Sequence, residues 1–130
     1  MADREKAELK RLRRVVIIDD EPAFATVLTK IVSGLGYEVT VSSDPRSSRT
    51  YEIRESDIVF IDALMPHVSG LQVLEQLSRQ NVKSAIVLMS GQGERLDEAE
   101  KLAKKLDLHL VGALEKPFRL ADVKLVLDGV

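Results

Sequence analysis

Four consecutive β-branched residues, Val15, Val16, Ile17 and Ile18, break abruptly into Asp19, Asp20, Glu21 and Pro22. An unbroken apolar run that ends in acid predicts a strand buried on both faces, as in a parallel sheet. After the proline, which suits a first helical turn, Phe24, Val27, Leu28 and Ile31 recur at helical spacing until Gly34 and Gly36 stop the helix. The alternation then repeats. Tyr37 to Val41 reads as a strand, 46–53 as a short helix, and Ile58 to Ile61 as another buried strand, closed by Asp62. Ser69 can cap a helix carrying Leu71, Val73, Leu74 and Leu77, and Ala85 to Met89 forms a fourth strand running into Ser90 and Gly91. Leu96, Ala99, Leu102, Ala103 and Leu106 mark the next helix, 108–114 a fifth strand and 120–127 a final helix.

Strands that read as continuous apolar runs and alternate with helices imply a parallel sheet covered on both faces. The expected fold class is therefore α/β, a doubly wound five-stranded parallel sheet. At 130 residues, 45% hydrophobic and 31% charged, the chain has the length of one domain and enough apolar residues to bury a core. Nothing resembling a linker interrupts 14–130, read as one domain behind a basic lead-in over 1–13. Met1 to Arg14 holds six basic and three acidic residues, whereas the rest of the chain holds 13 basic and 18 acidic ones. The net charge of −2 leaves no broad cationic face for phosphates, so direct binding of nucleic acid is not expected. The absence of cysteine excludes disulfides, thiolate metal sites and a thiol nucleophile. With neither a signal-peptide core nor a bilayer-length apolar stretch, no membrane span is expected and the expected location is the cytoplasm.

In doubly wound sheets ligands bind beyond the carboxyl ends of the strands, near the point where strand order reverses. The polar residues at those ends are Asp19, Asp20 and Glu21 after the first strand, Asp62 after the third, Ser90 after the fourth and Lys116 after the fifth. An isolated acid after a strand is usually a turn former or helix cap, which is the reading given to Asp44 and Asp57. Several carboxylates gathered on one edge instead repel one another and lose hydration, a cost that a hard cation with oxygen ligands offsets. The cluster points to Mg²⁺. His67 and His109 lack metal-ligand spacing and read as exposed loop or strand positions.

Taken together, Asp19-Asp20, Asp62-Ala63-Leu64-Met65-Pro66 with Gly70, Ser90-Gly91 and Lys116-Pro117-Phe118 resemble the signature of receiver domains of two-component response regulators, the CheY-like superfamily. The resemblance spans Val15 to about Leu127. It implies a flavodoxin-like fold and a signalling domain that catalyses only its own phosphoryl transfer and hydrolysis, with a histidine kinase as phosphoryl source and an output domain or downstream protein as target. Asp62 would be the phosphoacceptor. Mg²⁺ would be held by Asp20 and Asp62, by Asp19 directly or through water, and by the backbone carbonyl of Leu64. Lys116 would face a phosphoryl oxygen, in similar receivers often across a cis Lys-Pro bond, and the Ser90 hydroxyl would be the switch contact. Glu21 is expected to cap the helix that starts near Pro22.

The chain departs from the pattern at Ala113, where receivers commonly carry a switch tyrosine or phenylalanine. Switching is then expected through the loop after Ser90 and the helix from about Glu94 to Leu106, and the alternative is a phosphorylation-independent docking module. Leu64 and Gln92 are the positions expected to govern water attack on an aspartyl phosphate. The stretches Leu88 to Gln92 and Val111 to Phe118 resemble receivers attached to EAL-type cyclic-di-GMP phosphodiesterases. No Glu-Ala-Leu motif occurs in the sequence, so such an output unit would be supplied from outside these residues.

Overall fold

The β-branched run forms strand β1 (Arg14–Ile18), an interior strand of the sheet, buried over its last four residues. The remaining strands of this computed structural model are β2 (Glu38–Ser42), β3 (Ile58–Asp62), β4 (Ala85–Ser90) and β5 (His109–Glu115). The helices are α1 (Pro22–Gly34), α2 (Gly70–Arg79), α3 (Asp97–Lys105) and α4 (Leu120–Asp128). The structure describes residues 4, 13–42, 53–63, 70–91 and 96–130. Of the helix expected over 46–53, residues 46–52 lie outside the described residues and Ile53 is not helical; most of the basic lead-in also lies outside them, as do Asp44, Leu64, His67, Ser69 and Gln92.

All strand pairs are parallel and the order is β2-β1-β3-β4-β5. This is the flavodoxin-like order, in which the chain leaves β1 for one side of the sheet and later returns to the other, opening a crevice between the ends of β1 and β3. Alternation along the strands divides the apolar residues between two cores. Val16, Ile18, Val59, Ile61, Ile86 and Leu88 pack against Val73, Leu74 and Leu77 of α2 and Ala99 and Ala103 of α3. Val15, Ile17, Ile58, Phe60, Val87, Met89 and Leu114 face Ala25, Leu28 and Val32 of α1 and Val123 and Leu127 of α4. Both faces are covered, which is why β1, β3 and β4 show no polar alternation.

The face that α1 presents differs from the sequence expectation. Ala25, Leu28 and Val32 are buried, whereas Val27 is 48% exposed. The helix carries two overlapping apolar stripes about one residue apart, and the sheet takes the one with the smaller residue at its start, turning Phe24 toward the carboxyl edge of β5. Gly36, not Gly34, provides the left-handed turn after α1, at φ 100°. Asn81 and Asp107 play that part after α2 and α3, at φ 56° and 57°; their short polar side chains tolerate the conformation.

Gly70 lies where α2 meets the residue after β3. Its N–H donates to the Ala63 carbonyl at 3.0 Å. A Cβ at this position would lie 2.6 Å from Ala63 Cα and 2.7 Å from its carbonyl oxygen, contacts with backbone that cannot swing aside. Gly70→Ala is therefore expected to destabilise the fold by about 1–3 kcal/mol, read as a lower urea midpoint. An unchanged midpoint would mean that β3 and α2 separate freely.

Candidate functional site

Strand phase brings the chemistry to one place. Asp19 continues the alternation of Val15 and Ile17, Asp62 that of Ile58 and Phe60, and Lys116 follows Leu114 by two. All three therefore project on the α1/α4 side of the sheet, at the carboxyl ends of β1, β3 and β5. They are buried, at 1%, 1% and 3% exposure.

The Lys116 ammonium lies 2.8 Å from Asp19 Oδ2, 3.2 Å from Asp62 Oδ2 and 3.2 Å from Glu21 Oε1. Its three N–H groups thus meet two carboxylates from the loop after β1 and one from the end of β3. Burial alone would disfavour the charged amine, but hydrogen bonds and charge from Asp19 and Asp62 outweigh it and raise the pKa above the usual lysine value. The residue is thus an inward-facing cation, unlike a surface lysine. The Lys116-Pro117 peptide bond is cis. The Lys116 N–H donates to the Ser90 carbonyl at 2.7 Å, tying the segment after β5 to the end of β4.

Asp19, Asp20 and Asp62 each place a carboxylate oxygen within 4.8 Å of the others. Asp20 Oδ1 is buried with no hydrogen-bond partner, and it stands alone in this respect among the described residues. A buried carboxylate oxygen without a donor carries an uncompensated desolvation cost. Facing two further carboxylates, it has the chemistry of a ligand for a hard divalent cation, and the residues present fit Mg²⁺. The Asp19 Oδ1 atom is engaged otherwise, accepting the Glu21 N–H at 2.9 Å.

Among the residues singled out from sequence, Asp19, Asp20, Asp62 and Lys116 come together, and Leu64 lies outside the described residues. Ser90 is buried at the end of β4, one residue beyond the Met89 that pairs with Asp62, and its alternation matches Ile86 and Leu88 on the other face. Glu21 is corrected: it occupies the N-cap position of α1 without a side-chain capping bond, and its carboxylate reaches Lys116 instead. A lysine side chain 95 positions away offers it a full charge, which the local helix terminus cannot match. Sequence reasoning also missed Phe24, whose ring lies 4.4 Å from Lys116 Nζ. An aromatic at helical spacing reads as core until the lysine is placed beside it.

Asp57, read as a turn former, is one and more. Its Oδ2 accepts the Arg54 N–H at 2.7 Å, closing a turn, and the same atom receives Arg14 Nη2 at 2.7 Å. The pair lies at the amino edge of the sheet, opposite the acid cluster, with Asp57 buried and Arg14 partly so.

No helix among the described residues is long and apolar enough to cross a membrane. Over residues 15–128 the chain matches the family model described as the response regulator receiver domain. The alkaline phosphatase synthesis transcriptional regulatory protein PhoP of Bacillus subtilis is 25% identical over 112 residues, which cover 85% of this chain and 45% of PhoP. The two-component response regulator ARR11 of Arabidopsis thaliana is 28% identical over 120 residues, 90% of this chain and 22% of that protein. The chain thus spans less than half the length of these curated relatives. Among solved structures, a response regulator from Colwellia psychrerythraea superposes with a TM-score of 0.80 at 28% identity, covering 90% of this chain and 94% of that one. The chemotaxis protein CheY4 of Vibrio cholerae shares the fold, with a TM-score of 0.75 at 21% identity over 91% of this chain and 98% of its own. A match over nearly the whole chain, on a flavodoxin-like sheet with acids and a lysine gathered at its carboxyl edge, makes this chain a member of the response regulator receiver domain family.

Proposed function

We propose that the chain accepts a phosphoryl group on Asp62 from a partner histidine kinase in the cytoplasm and thereby alters its surface for a downstream target. The observation that carries this reading is the convergence of two further carboxylates, Asp19 and Asp20, and one ammonium around the buried Asp62 carboxylate. An Asp62 oxygen forms the bond to phosphorus as the bond from phosphorus to the donor's imidazole nitrogen breaks in line, and the imidazole leaves with the electron pair. Lys116 stabilises the charge on an equatorial phosphoryl oxygen. The Ser90 hydroxyl donates to another and draws its loop inward, a bias on two arrangements of the strand ends. Mg²⁺ held by Asp19, Asp20, Asp62 and the Leu64 carbonyl would supply further neutralisation of phosphoryl charge. Asp19 and Asp20 otherwise stand as negative charges against an incoming phosphoryl anion.

Ala113 is exposed on β5 and offers no ring to relay the change. The surface that responds is therefore the loop after Ser90 with α3. The stretches around Ser90 and before Lys116 favour an EAL-type phosphodiesterase as the output, either joined to the receiver or as a separate protein.

Incubation with acetyl phosphate and Mg²⁺, read by intact mass, is expected to add one phosphoryl group to the wild type and none to Asp62→Asn or to wild type in chelator. An unlabelled wild type would leave the phosphorylation-independent docking module standing. Labelling that survives Asp62→Asn would place the acceptor elsewhere.

A further inference from the structure

Three faces of the Lys116 ammonium are accounted for by Asp19, Asp62 and Glu21. The fourth is not polar: the ring of Phe24, from the first turn of α1, has its centroid 4.4 Å from Nζ. Phe118, two residues beyond the lysine and buried, packs against that ring at a centroid distance of 6.5 Å and an interplanar angle of 54°. We propose that Phe24 is a positioning residue for Lys116, a cation–π wall that keeps the ammonium aimed at the Asp62 side of the pocket. The proposal rests on the reading of Lys116 as the phosphoryl-oxygen contact.

The physical case starts from the flexibility of lysine. Its four-carbon stem lets the ammonium follow whichever carboxylate is nearest. Glu21 is 51% exposed and pulls toward solvent, whereas Asp62 is buried, so the same cation is contested between an outer and an inner acid. A fourth carboxylate at the position of Phe24 would increase the negative charge that a phosphoryl donor has to approach. A purely aliphatic wall would exclude water without attracting the cation. An aromatic face attracts the ammonium through its quadrupole, takes none of its three N–H groups and adds no net charge. The ring thus competes with no acceptor, and the N–H directed at Asp62 can pass to a phosphoryl oxygen carried there.

The placement of the ring supports this role over a core role. On α1 the residues that pack the sheet are Ala25, Leu28 and Val32, and Phe24 lies off that stripe, half-buried at the pocket rim. It is anchored from the lysine's own segment through Phe118, so the ring and the cation are held in register by α1 on one side and the segment after β5 on the other.

A graded series separates the electronic contribution of the ring from its bulk. Phe24 is replaced by mono-, tri- and pentafluorophenylalanine, which nearly conserve its shape while progressively removing the negative ring face, and by Phe24→Leu. The initial rate of Asp62 labelling by acetyl phosphate with Mg²⁺ is measured for each folded variant. The logarithm of the rate is expected to fall steadily with fluorination, to roughly a fifth to a tenth of wild type for the pentafluoro variant and for Phe24→Leu. The Lys116 ε-methylene protons are expected upfield in wild type from the ring current and at ordinary lysine positions in Phe24→Leu. Labelling rates independent of fluorination, or ε-proton shifts unchanged by loss of the ring, would overturn the proposal. A wild type that takes no label would instead overturn the phosphoacceptor reading, and the ε-proton shifts would still report the contact by themselves. If Phe24→Leu fails to fold, the fluorinated series alone decides.

Discussion

Lys116→Ala slows phosphorylation of Asp62 by about a hundredfold to a thousandfold, the cost typical of removing one preorganised charge from a site where negative charge develops. The ammonium touches both Asp62 and Asp19, each nearly devoid of solvent, so nothing from bulk water replaces it. The same variant leaves the cluster of Asp19, Asp20 and Asp62 without its cation. The folded state then depends on an added divalent ion more than in wild type. Thermal unfolding should show a larger rise in midpoint on adding Mg²⁺ for Lys116→Ala than for wild type, since a ligand that binds only the folded state stabilises it according to its affinity. Equal labelling rates for the two proteins would remove Lys116 from the reaction. Equal Mg²⁺-induced shifts would show that the lysine and the ion do not share the carboxylates.

Asp57→Ala lowers stability by about 3–5 kcal/mol, the range for breaking one partner out of a buried ion pair. Asp57 is fully buried and Arg14 is 13% exposed, with Nη2 2.7 Å and Nε 3.3 Å from the two carboxylate oxygens. Removing the carboxylate strands the guanidinium and also releases the Arg54 N–H, whose carbonyl in turn accepts the Ser84 hydroxyl at 2.6 Å. One substitution thus loosens the amino ends of β1, β3 and β4 together. The double variant Arg14→Met with Asp57→Leu should recover much of the loss, because replacing both charges by apolar groups removes the stranded partner. Urea unfolding measures both. Because the pair lies at the opposite edge of the sheet from Asp62, the extent of labelling at low temperature should match wild type. A loss below about 1 kcal/mol would mean that water reaches Arg14 and solvates it.

Much of the architecture is legible in the residue order because the decisive signals are local. A short apolar run with no polar alternation, bounded by polar turn residues, reads as a strand covered on both faces, and β1, β3 and β4 are such runs. Acids placed directly after two of them, a serine ending a third and a lysine after the fifth strand put the reactive groups on the carboxyl edge once the strands are parallel. Where two readings had equal local support, the order of residues did not choose between them. Two apolar stripes run along α1, and only the sheet surface selects Ala25, Leu28 and Val32. Glu21 stands at a helix start, where an acid caps by default, and only the arrival of Lys116 from the far end of the chain draws it away.

The chain's own pattern of apolar runs, glycines and strand-end acids determined the α/β class, the parallel strands and the edge on which the chemistry sits, because each follows from periodicity within a few residues. Tertiary structure alone decided which charges meet. Asp57 with Arg14, Glu21 with Lys116 and Phe24 with Lys116 are pairs separated by 43, 95 and 92 positions, joined by strand order and strand phase. Periodicity tells a side chain which face to take, but the identity of its partner across the sheet depends on which strands become neighbours, and that is settled by packing the whole core.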